Sequence, residues 1–237
     1  MNGTAVTDLL LGLVGGVIYY GSAVPGSQIL GRSLVRGRPG ERRVALTFDD
    51  GPTPPFTEQI LDILRQRNVP ATFFVNGNHV QRFPDLLKRA HTENHTIGNH
   101  TYSHPFFYFK TPRRMASEID RAQDSIERVI GLRPRVFRSP YGVRWFGLFG
   151  VLRHRGLHSV QWSDTGYDWV QRNSPAEIAS KALKNLKDGS IILLHDGAGA
   201  GEPGHVDRSR TVAALPALID GVQKAGYRFV SVEEFLA

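Results

Sequence analysis

The 237-residue sequence contains no cysteine. This absence excludes disulfides, cysteine-based zinc sites, iron–sulfur clusters and thiol nucleophiles. Any protein-bound metal must therefore be held by histidine nitrogens and carboxylate oxygens. Hydrophobic residues make up 41% of the chain and charged residues 22%, which is close to the average for soluble globular proteins and argues against extended disorder. A chain of this length is typical of one domain that buries a large core without cross-links.

Charged residues are absent between Asp8 and Arg32, and residues 9–24 within this stretch are strongly apolar. A membrane-spanning helix needs about 20 apolar residues, and residues 9–31 reach that length only by including polar positions. We interpret residues 9–31 as a membrane-associated segment. An apolar helix packed on the domain is the alternative. The N-terminal segment comprises residues 1–43 and ends in a basic linker with five arginines: Arg32, Arg36, Arg38, Arg42 and Arg43.

The formal net charge is +7, which favours an acidic partner such as nucleic acid, lipid headgroups or a wall polymer. The sequence has no nucleic-acid-binding motif, and much of the arginine excess lies at residues 32–43 or among acidic residues. We therefore expect no nucleic-acid partner. The positive-inside rule would place the arginine flank on the cytoplasmic side of a membrane, whereas a cell-wall substrate would require the opposite side.

From residue 44 onward, short apolar runs alternate with segments of helical periodicity. Strands are predicted at residues 44–48, 71–75, 96–99, 136–137, 158–162, 190–194 and 227–232. Helices are predicted at residues 57–68, 84–93, 112–130, 175–186 and 208–225, with a kink at Pro216. This alternation predicts an α/β fold with a mostly parallel sheet, either open or barrel-like. No repeat or linker divides residues 44–237, which we therefore assign to one domain.

Polar residues with catalytic potential follow the predicted strands. Because the carboxyl ends of parallel strands meet at one edge of a sheet, these side chains are expected to converge on one site. They are Asp49 and Asp50, His100 and His104, Arg138 and Tyr141, Asp164 and Asp168, and His195.

His100 and His104 are four residues apart and can ligate one metal ion. Asp50 supplies a third ligand, and three protein ligands with open positions are typical of catalytic metal sites. Zinc fits this donor set, and cobalt or nickel would also be held by it. Asp49 is a candidate general base and His195 a candidate general acid. The alternatives are an Asx turn at Asp50 and an ordinary buried histidine at position 195.

These segments resemble the polysaccharide deacetylase family, the NodB-homology carbohydrate esterases of family 4, from about Arg43 to the C terminus. Five short motifs occur in the family's order: residues 47–50 (TFDD), 100–104 (HTYSH), 138–142 (RSPYG), 164–169 (DTGYDW) and 193–195 (LLH). The fourth motif is one residue longer than the family's usual form. The resemblance implies a distorted (β/α)7 barrel, here with an apolar N-terminal helix, and makes residues 44–237 the catalytic domain.

The resemblance also implies a role for each site residue. Asp49 is the base, Arg138 orients it, and His195 is the acid, tuned by either Asp164 or Asp168. The remaining positions are the metal ligands Asp50, His100 and His104, the oxyanion donor Tyr141 (through its backbone N–H), and the substrate contacts Leu193 and Trp169.

The implied activity is metal-dependent removal of N-acetyl groups from N-acetylglucosamine-type residues of peptidoglycan or a chitin-like glycan. One alternative is a deformylase or deacetylase of a small or lipid-linked amino sugar. Another is a non-catalytic carbohydrate-binding barrel, which would be expected to have lost a ligand or the base.

Overall fold

The computed structural model of the chain describes residues 3–199 and 206–236, with side chains from residue 12 onward. Eight parallel strands in these residues form one sheet. They are β1 (Arg43–Asp49), β2 (Thr72–Val75), β3 (Thr96–Asn99), β4 (Val136–Phe137), β5 (His158–Ser159), β6 (Asp164–Thr165), β7 (Ile191–His195) and β8 (Arg228–Val230). The helices are α1 (Gly3–Ala23), α2 (Phe56–Arg67), α3 (Gly77–Arg82), α4 (Pro84–Thr92), α5 (Pro112–Ile130), α6 (Leu148–Arg153), α7 (Pro175–Leu183) and α8 (Ser209–Lys224).

The strand order is β5-β4-β3-β2-β1-β7-β6, and β8 pairs with β1. The central strand β1 is buried from its second residue to its last. Its end lies between its neighbours, because Asp49 is in register with Phe74 of β2 and with His195 of β7. The predicted α/β fold with a parallel sheet is confirmed, and the carboxyl ends of the strands meet at one edge as expected.

The segment that precedes β1 completes the wall of the curled sheet. Leu34 forms a parallel bridge with Val160 after β5, and Arg36 forms an antiparallel bridge with Ser190 before β7. The Arg36 guanidinium also donates a hydrogen bond to Ser190 Oγ at 2.7 Å. Part of the predicted basic linker is therefore built into the domain.

Apolar side chains on the two faces of the sheet form separate clusters. One cluster joins alternate residues of β1 and β7 to α2, α7 and α8, with Leu46, Leu64 and Ile219 fully buried. The inner cluster contains Phe74, Val136 and other residues of the concave face. Burial of this kind, at roughly 25 cal/mol per Å² of apolar surface, holds the strand ends rigid beneath the polar groups that follow them.

The longest predicted helix has the predicted limits. Thr111 caps α5 by accepting a hydrogen bond from the Arg114 N–H, Pro112 is its first residue, and Gly131 ends it in a left-handed conformation. The short elements α3, α6 and β6 were not predicted, because six or fewer residues carry too little periodicity. The strand predicted at residues 158–162 is shorter, and Val160, which follows it, also bridges to Leu34. One helix runs through Pro216.

The N-terminal helix α1 ends at Ala23, so the segment at residues 9–31 is not a single helix. In the described part of the chain, no helix is both long enough and apolar enough to cross a membrane. The residues after α1 are fastened to the domain by Arg144, which is 1% exposed. Its guanidinium donates hydrogen bonds to the carbonyl oxygens of Ser27, at 2.7 Å, and of Val24.

Candidate active site

A cavity of about 350 Å³ opens at the carboxyl edge of the sheet. It lies where the sequence predicted a site, because β1, β3, β4 and β7 all end beside it. Its walls are Asp49, Asp50, His100, His104, Tyr141, Gly142, Trp162, Trp169, Leu193, His195, Gly199 and Arg208. The predicted residues Arg138, Asp164 and Asp168 lie behind these walls.

Three buried side chains in the cavity form a candidate metal centre. Asp50, His100 and His104 each offer a ligand atom, and these atoms lie within 4.8 Å of one another. The Nε2 atoms of His100 and His104 are 3.4 Å and 3.1 Å from Asp50 Oδ1. Asp50 Oδ1 is buried and accepts no hydrogen bond within the described residues. Two imidazole nitrogens that converge on such a carboxylate oxygen fit a divalent cation.

The first ligand histidine is held in the orientation that a metal requires. His100 Nδ1 lies 2.8 Å from the carbonyl oxygen of Arg138. A proton on Nδ1 that is donated to this carbonyl leaves the Nε2 lone pair for the metal. The backbone contributes as well, since Asp50 and His104 both have positive φ angles, 79° and 53°. The polypeptide therefore turns sharply at Asp50 and at His104, and Asp50 faces the cavity together with Asp49.

Electrostatics at the centre favour metal binding. Burial alone would raise the pKa of the Asp50 carboxyl. His100 and His104 more than offset this effect and bring the pKa below its ordinary value, so Asp50 is ionised. Burial lowers the pKa of His104 to about 4, which leaves a neutral imidazole at pH 7. Burial opposes protonation of His100, but Asp49 and Asp50 raise its pKa. A proton on His100 Nε2 would compete with a metal ion for the same lone pair, so metal affinity is expected to fall as the pH falls.

Asp49 is joined to the fully buried Arg138. The guanidinium donates hydrogen bonds to Asp49 Oδ1 at 2.7 Å, to Thr47 Oγ1 at 2.8 Å and to the Gln161 carbonyl at 3.0 Å. These three acceptors fix the arginine, which in turn fixes the Asp49 carboxylate. The other oxygen, Oδ2, lies 3.8 Å from His100 Nε2, beside the metal centre. One oxygen of Asp49 is thus anchored by Arg138, while the other lies on the side of the candidate metal centre.

His195 is joined to Asp168 and not to Asp164. Asp168 Oδ1 lies 2.9 Å from His195 Nδ1, and Asp168 Oδ2 accepts the His195 backbone N–H at 2.8 Å. Asp164 instead accepts hydrogen bonds from Ser163 Oγ at 2.7 Å and from Arg36 at 3.4 Å. Of the two aspartates that the fourth motif offers, Asp168 is therefore the one placed to tune His195.

A turn explains why the longer fourth motif still presents its second aspartate. Tyr167 has a positive φ angle of 52°, and its backbone N–H donates to Thr165 Oγ1 at 3.2 Å. Asp168 follows this turn directly and faces His195.

The contact between Asp168 and His195 favours the protonated form of His195. Burial opposes the charged imidazole, but Asp168 raises the pKa of His195. The charged histidine and Arg208 in turn lower the pKa of Asp168 against the effect of its burial. A raised pKa keeps His195 protonated to higher pH, as a general acid requires.

Asp168→Asn is therefore expected to lower the pKa of His195 and to shift the alkaline limb of the kcat–pH profile to lower pH. The acid form is lost as pH rises through that pKa, so turnover at pH 8 should fall more than turnover at pH 6. Asp164→Asn is the matched control, because Asp164 does not contact His195. An alkaline limb that moves in the control and stays in place in Asp168→Asn would contradict the assignment.

The sequence reasoning missed two residues near the start of α8 that support this pair. Thr211 is 1% exposed, and its hydroxyl donates to Asp168 Oδ2 at 2.9 Å. Arg208 is 6% exposed, lines the cavity, and donates from Nε to the Gly197 carbonyl at 2.7 Å. Thr211 is 43 residues from Asp168 in sequence and belongs to no motif, so only the structure identifies it.

Thr211→Val is expected to reduce turnover about tenfold, because Asp168 loses one of the donors that orient it at a typical cost of about 1–2 kcal/mol. KM should change little, since the threonine does not line the cavity. Thr211→Ser retains the hydroxyl and should keep most of the activity. Full activity in the valine variant, with a loss in the serine variant, would show that the threonine acts through packing alone.

The remaining predicted residues lie where a substrate would enter. Leu193, 3% exposed, forms part of the apolar floor. Trp169 is 43% exposed and its ring centre is 5.4 Å from that of His195. Tyr141 has a positive φ angle of 57°, and its ring centre is 4.5 Å from that of His104. The loop that contributes Gly199 to the cavity wall is described only up to that residue, and residues 200–205 lie outside the described part.

Comparison with known proteins agrees with this geometry. A family model for polysaccharide deacetylase matches residues 36–180. A peptidoglycan-N-acetylglucosamine deacetylase of Bacillus cereus is 39% identical over 198 residues, which cover 83% of this chain and 89% of the relative. A chitooligosaccharide deacetylase of Bradyrhizobium is 38% identical over 193 residues, covering 79% of this chain and 88% of the relative.

The fold is shared with solved members. A crystal structure of a peptidoglycan N-acetylglucosamine deacetylase superposes with a TM-score of 0.78 at 35% identity, covering 86% of this chain and 92% of that one. With a family model that matches more than half of the chain and relatives of this identity, the chain belongs to the polysaccharide deacetylase family.

Proposed function

We propose that the chain is a metal-dependent hydrolase that removes N-acetyl groups from N-acetylglucosamine-type residues of peptidoglycan or a chitin-like glycan. One observation carries the proposal: a three-ligand metal centre, an arginine-held carboxylate and an aspartate-held histidine all meet in one cavity. The names of the relatives support the same chemistry. The proposed catalytic domain is residues 44–237, with the wall segment around Leu34 and Arg36 added to it.

Zinc is the metal that we propose for Asp50, His100 and His104. Two imidazole nitrogens and one carboxylate oxygen are a common zinc donor set, and cobalt or nickel would be bound by the same atoms. When bound, the metal polarises the acetamide carbonyl and lowers the pKa of a coordinated water.

The chain's own groups then carry out the proton transfers. Asp49, held by Arg138, accepts the proton of the attacking water. The Tyr141 backbone N–H donates to the oxyanion, and one such donor is typically worth about 10²–10³ in rate. His195, kept protonated by Asp168, donates a proton to the leaving amine nitrogen. Leu193 contacts the acetyl methyl group, and Trp169 borders the sugar.

A lipid-linked amino sugar remains the second candidate substrate. The apolar described part of α1 supports it, because Leu13, Val14 and Val17 are at least half exposed. Association of residues 9–31 with a membrane is a proposal of the same kind. A non-catalytic carbohydrate-binding barrel is disfavoured, because the metal ligands, the base and the acid are all in place.

Acetate and formate release from four substrates tests the proposal: chitooligosaccharides, insoluble peptidoglycan, a lipid-linked N-acetylglucosamine and free N-acetylglucosamine. The zinc-loaded chain should release acetate from the oligomers or peptidoglycan and lose that activity in the presence of a chelator. Formate release alone, or activity confined to the free sugar, would contradict the proposed substrate class. No release from any of the four would contradict the hydrolase assignment.

A further inference from the structure

Three exposed and two half-buried aromatic side chains form a cluster outside the cavity that the catalytic account does not use. We call it the aromatic rim, and it consists of Phe106, Tyr108, Phe109, Trp145 and Phe146. Neighbouring ring centres in the rim are 4.8 to 6.2 Å apart. Phe109 is 85% exposed, Phe146 50% and Phe106 48%. A contiguous apolar patch of this kind marks an interaction surface.

The loops that carry the rim are basic. Lys110, Arg113 and Arg114 are exposed beside it, at the start of α5. The loop that carries Trp145 and Phe146 lies against the start of α5, because a Cβ at Gly147 would be 2.6 Å from Pro112 Cγ. Neither residues 94–117 nor residues 138–163 contain an aspartate or glutamate. The charge around the rim is therefore complementary to an anionic surface.

The apolar surface continues from the rim onto α1. Ser22 Oγ, in the last turn of α1, lies 2.8 Å from Tyr108 Oη, and the Ser22 carbonyl accepts the Arg144 N–H at 2.9 Å. The side chains of α1 nearby are also exposed, including Val17 at 50% and Tyr20 at 51%. Aromatic rings, basic residues and an apolar helix in one surface are the combination that binds at the interface of a lipid bilayer.

We propose that the aromatic rim and the adjoining end of α1 dock onto an anionic lipid surface. The ring of Tyr141 connects the rim to the cavity, since its centre is 4.5 Å from His104 and 5.4 Å from Phe106. Docking would therefore hold the cavity against glycans that lie at the membrane. This consequence for the substrate rests on the proposed function, whereas the docking itself does not.

A stacking platform for a glycan is the competing occupant of the rim. The lipid surface is favoured because Phe109 projects outward with 85% of its surface exposed. A sugar platform also does not require the apolar surface to extend over Val17 and Tyr20 of α1. The positive loops are explained by phosphate headgroups, which attract nearby lysine and arginine side chains.

Sedimentation of the full-length chain with vesicles of phosphatidylglycerol and phosphatidylcholine tests the docking. The double variant Phe109→Ser with Phe146→Ser should bind these vesicles at least about tenfold more weakly than the unchanged chain, because two large apolar side chains no longer leave water. Leu132→Ser is the matched control, since Leu132 is 54% exposed but follows the opposite end of α5. The control should bind as the unchanged chain does.

Two charge-reversal variants test the electrostatic contribution to vesicle binding. Lys110→Glu should weaken binding to the anionic vesicles about fivefold or more, whereas Lys224→Glu, the same change at the far end of α8, should not. Vesicles of phosphatidylcholine alone should bind the unchanged chain more weakly than the mixed vesicles.

The outcomes are distinct. Failure of the unchanged chain to bind vesicles, or full binding by the double serine variant, would overturn the docking proposal. Weaker binding of that variant to insoluble peptidoglycan, with vesicle binding unchanged, would identify a glycan platform instead. Acetate release from soluble chitooligosaccharide should be equal in all these variants, which shows that they fold. Absence of acetate release from the unchanged chain would contradict the proposed function alone.

Discussion

Asp49→Asn is expected to bind zinc with the stoichiometry of the unchanged chain and to release acetate about 10²–10⁴-fold more slowly. The side-chain amide fills the same space and keeps an oxygen for Arg138, which donates to Asp49 Oδ1 at 2.7 Å. It no longer has a carboxylate that accepts a proton from water, and general-base catalysis contributes about this factor. The metal ligands Asp50, His100 and His104 are untouched.

Metal content and acetate release are measured on the same preparation of Asp49→Asn. Asp85→Asn is the matched control, because the side chain of Asp85 is 91% exposed and lies on α4, outside the cavity. Turnover within a factor of two of the unchanged chain in Asp49→Asn would remove Asp49 from the role of base. Loss of the metal in the same variant would instead make Asp49 a ligand.

His100→Ala is expected to lose both the metal and the activity, the latter by at least about 10³-fold. Three ligands hold the proposed metal, and removal of one leaves His104 and Asp50, a weaker pair with an added open position. The several kcal/mol of transition-state stabilisation that a metal supplies would then be absent.

The control for His100→Ala is His154→Ala, which removes an exposed imidazole directly after α6 and outside the cavity. Thermal unfolding of both variants distinguishes a lost metal from a lost fold. Stoichiometric zinc in a folded His100→Ala protein, with activity retained, would refute the ligand assignment.

The sequence was sufficient to locate the site because the relevant groups follow strands. Asp49, His100, Arg138 and His195 each come directly at or after the end of an apolar run, and parallel strands bring those ends together. The ligand spacing of His100 and His104 and the adjacent Asp50 then suggested a metal.

Contacts between distant segments could not be read in this way. Asp164 and Asp168 both follow the strand predicted at residues 158–162, and local spacing does not say which of them reaches His195. The answer depends on the positive φ angle of Tyr167 and on the pairing of Asp164 with Arg36, 128 residues earlier. Thr211 was missed for the same reason, since its contact with Asp168 is set by how α8 packs.

The N-terminal segment, residues 1–43, shows a further limit on what composition can predict. Its apolar and basic residues suggested an anchor and a linker, yet Leu34 and Arg36 pair with the domain and Arg144 fastens the residues after α1. Backbone carbonyls carry no sequence signal, so the use of Val24 and Ser27 as acceptors for a buried arginine was not predictable. The basic residues beside the aromatic rim are Lys110, Arg113 and Arg114, and none of them belongs to the N-terminal segment. Composition alone did not distinguish these residues from a solvated helix face.

Titration of zinc into the metal-free chain, with acetate release from a chitooligosaccharide followed at each addition, tests the central claim most directly. The account predicts no measurable release without metal, a linear rise with added zinc and a plateau at one zinc per chain. Full acetate release by the metal-free chain, or none at the plateau, would contradict metal-assisted deacetylation at Asp50, His100 and His104.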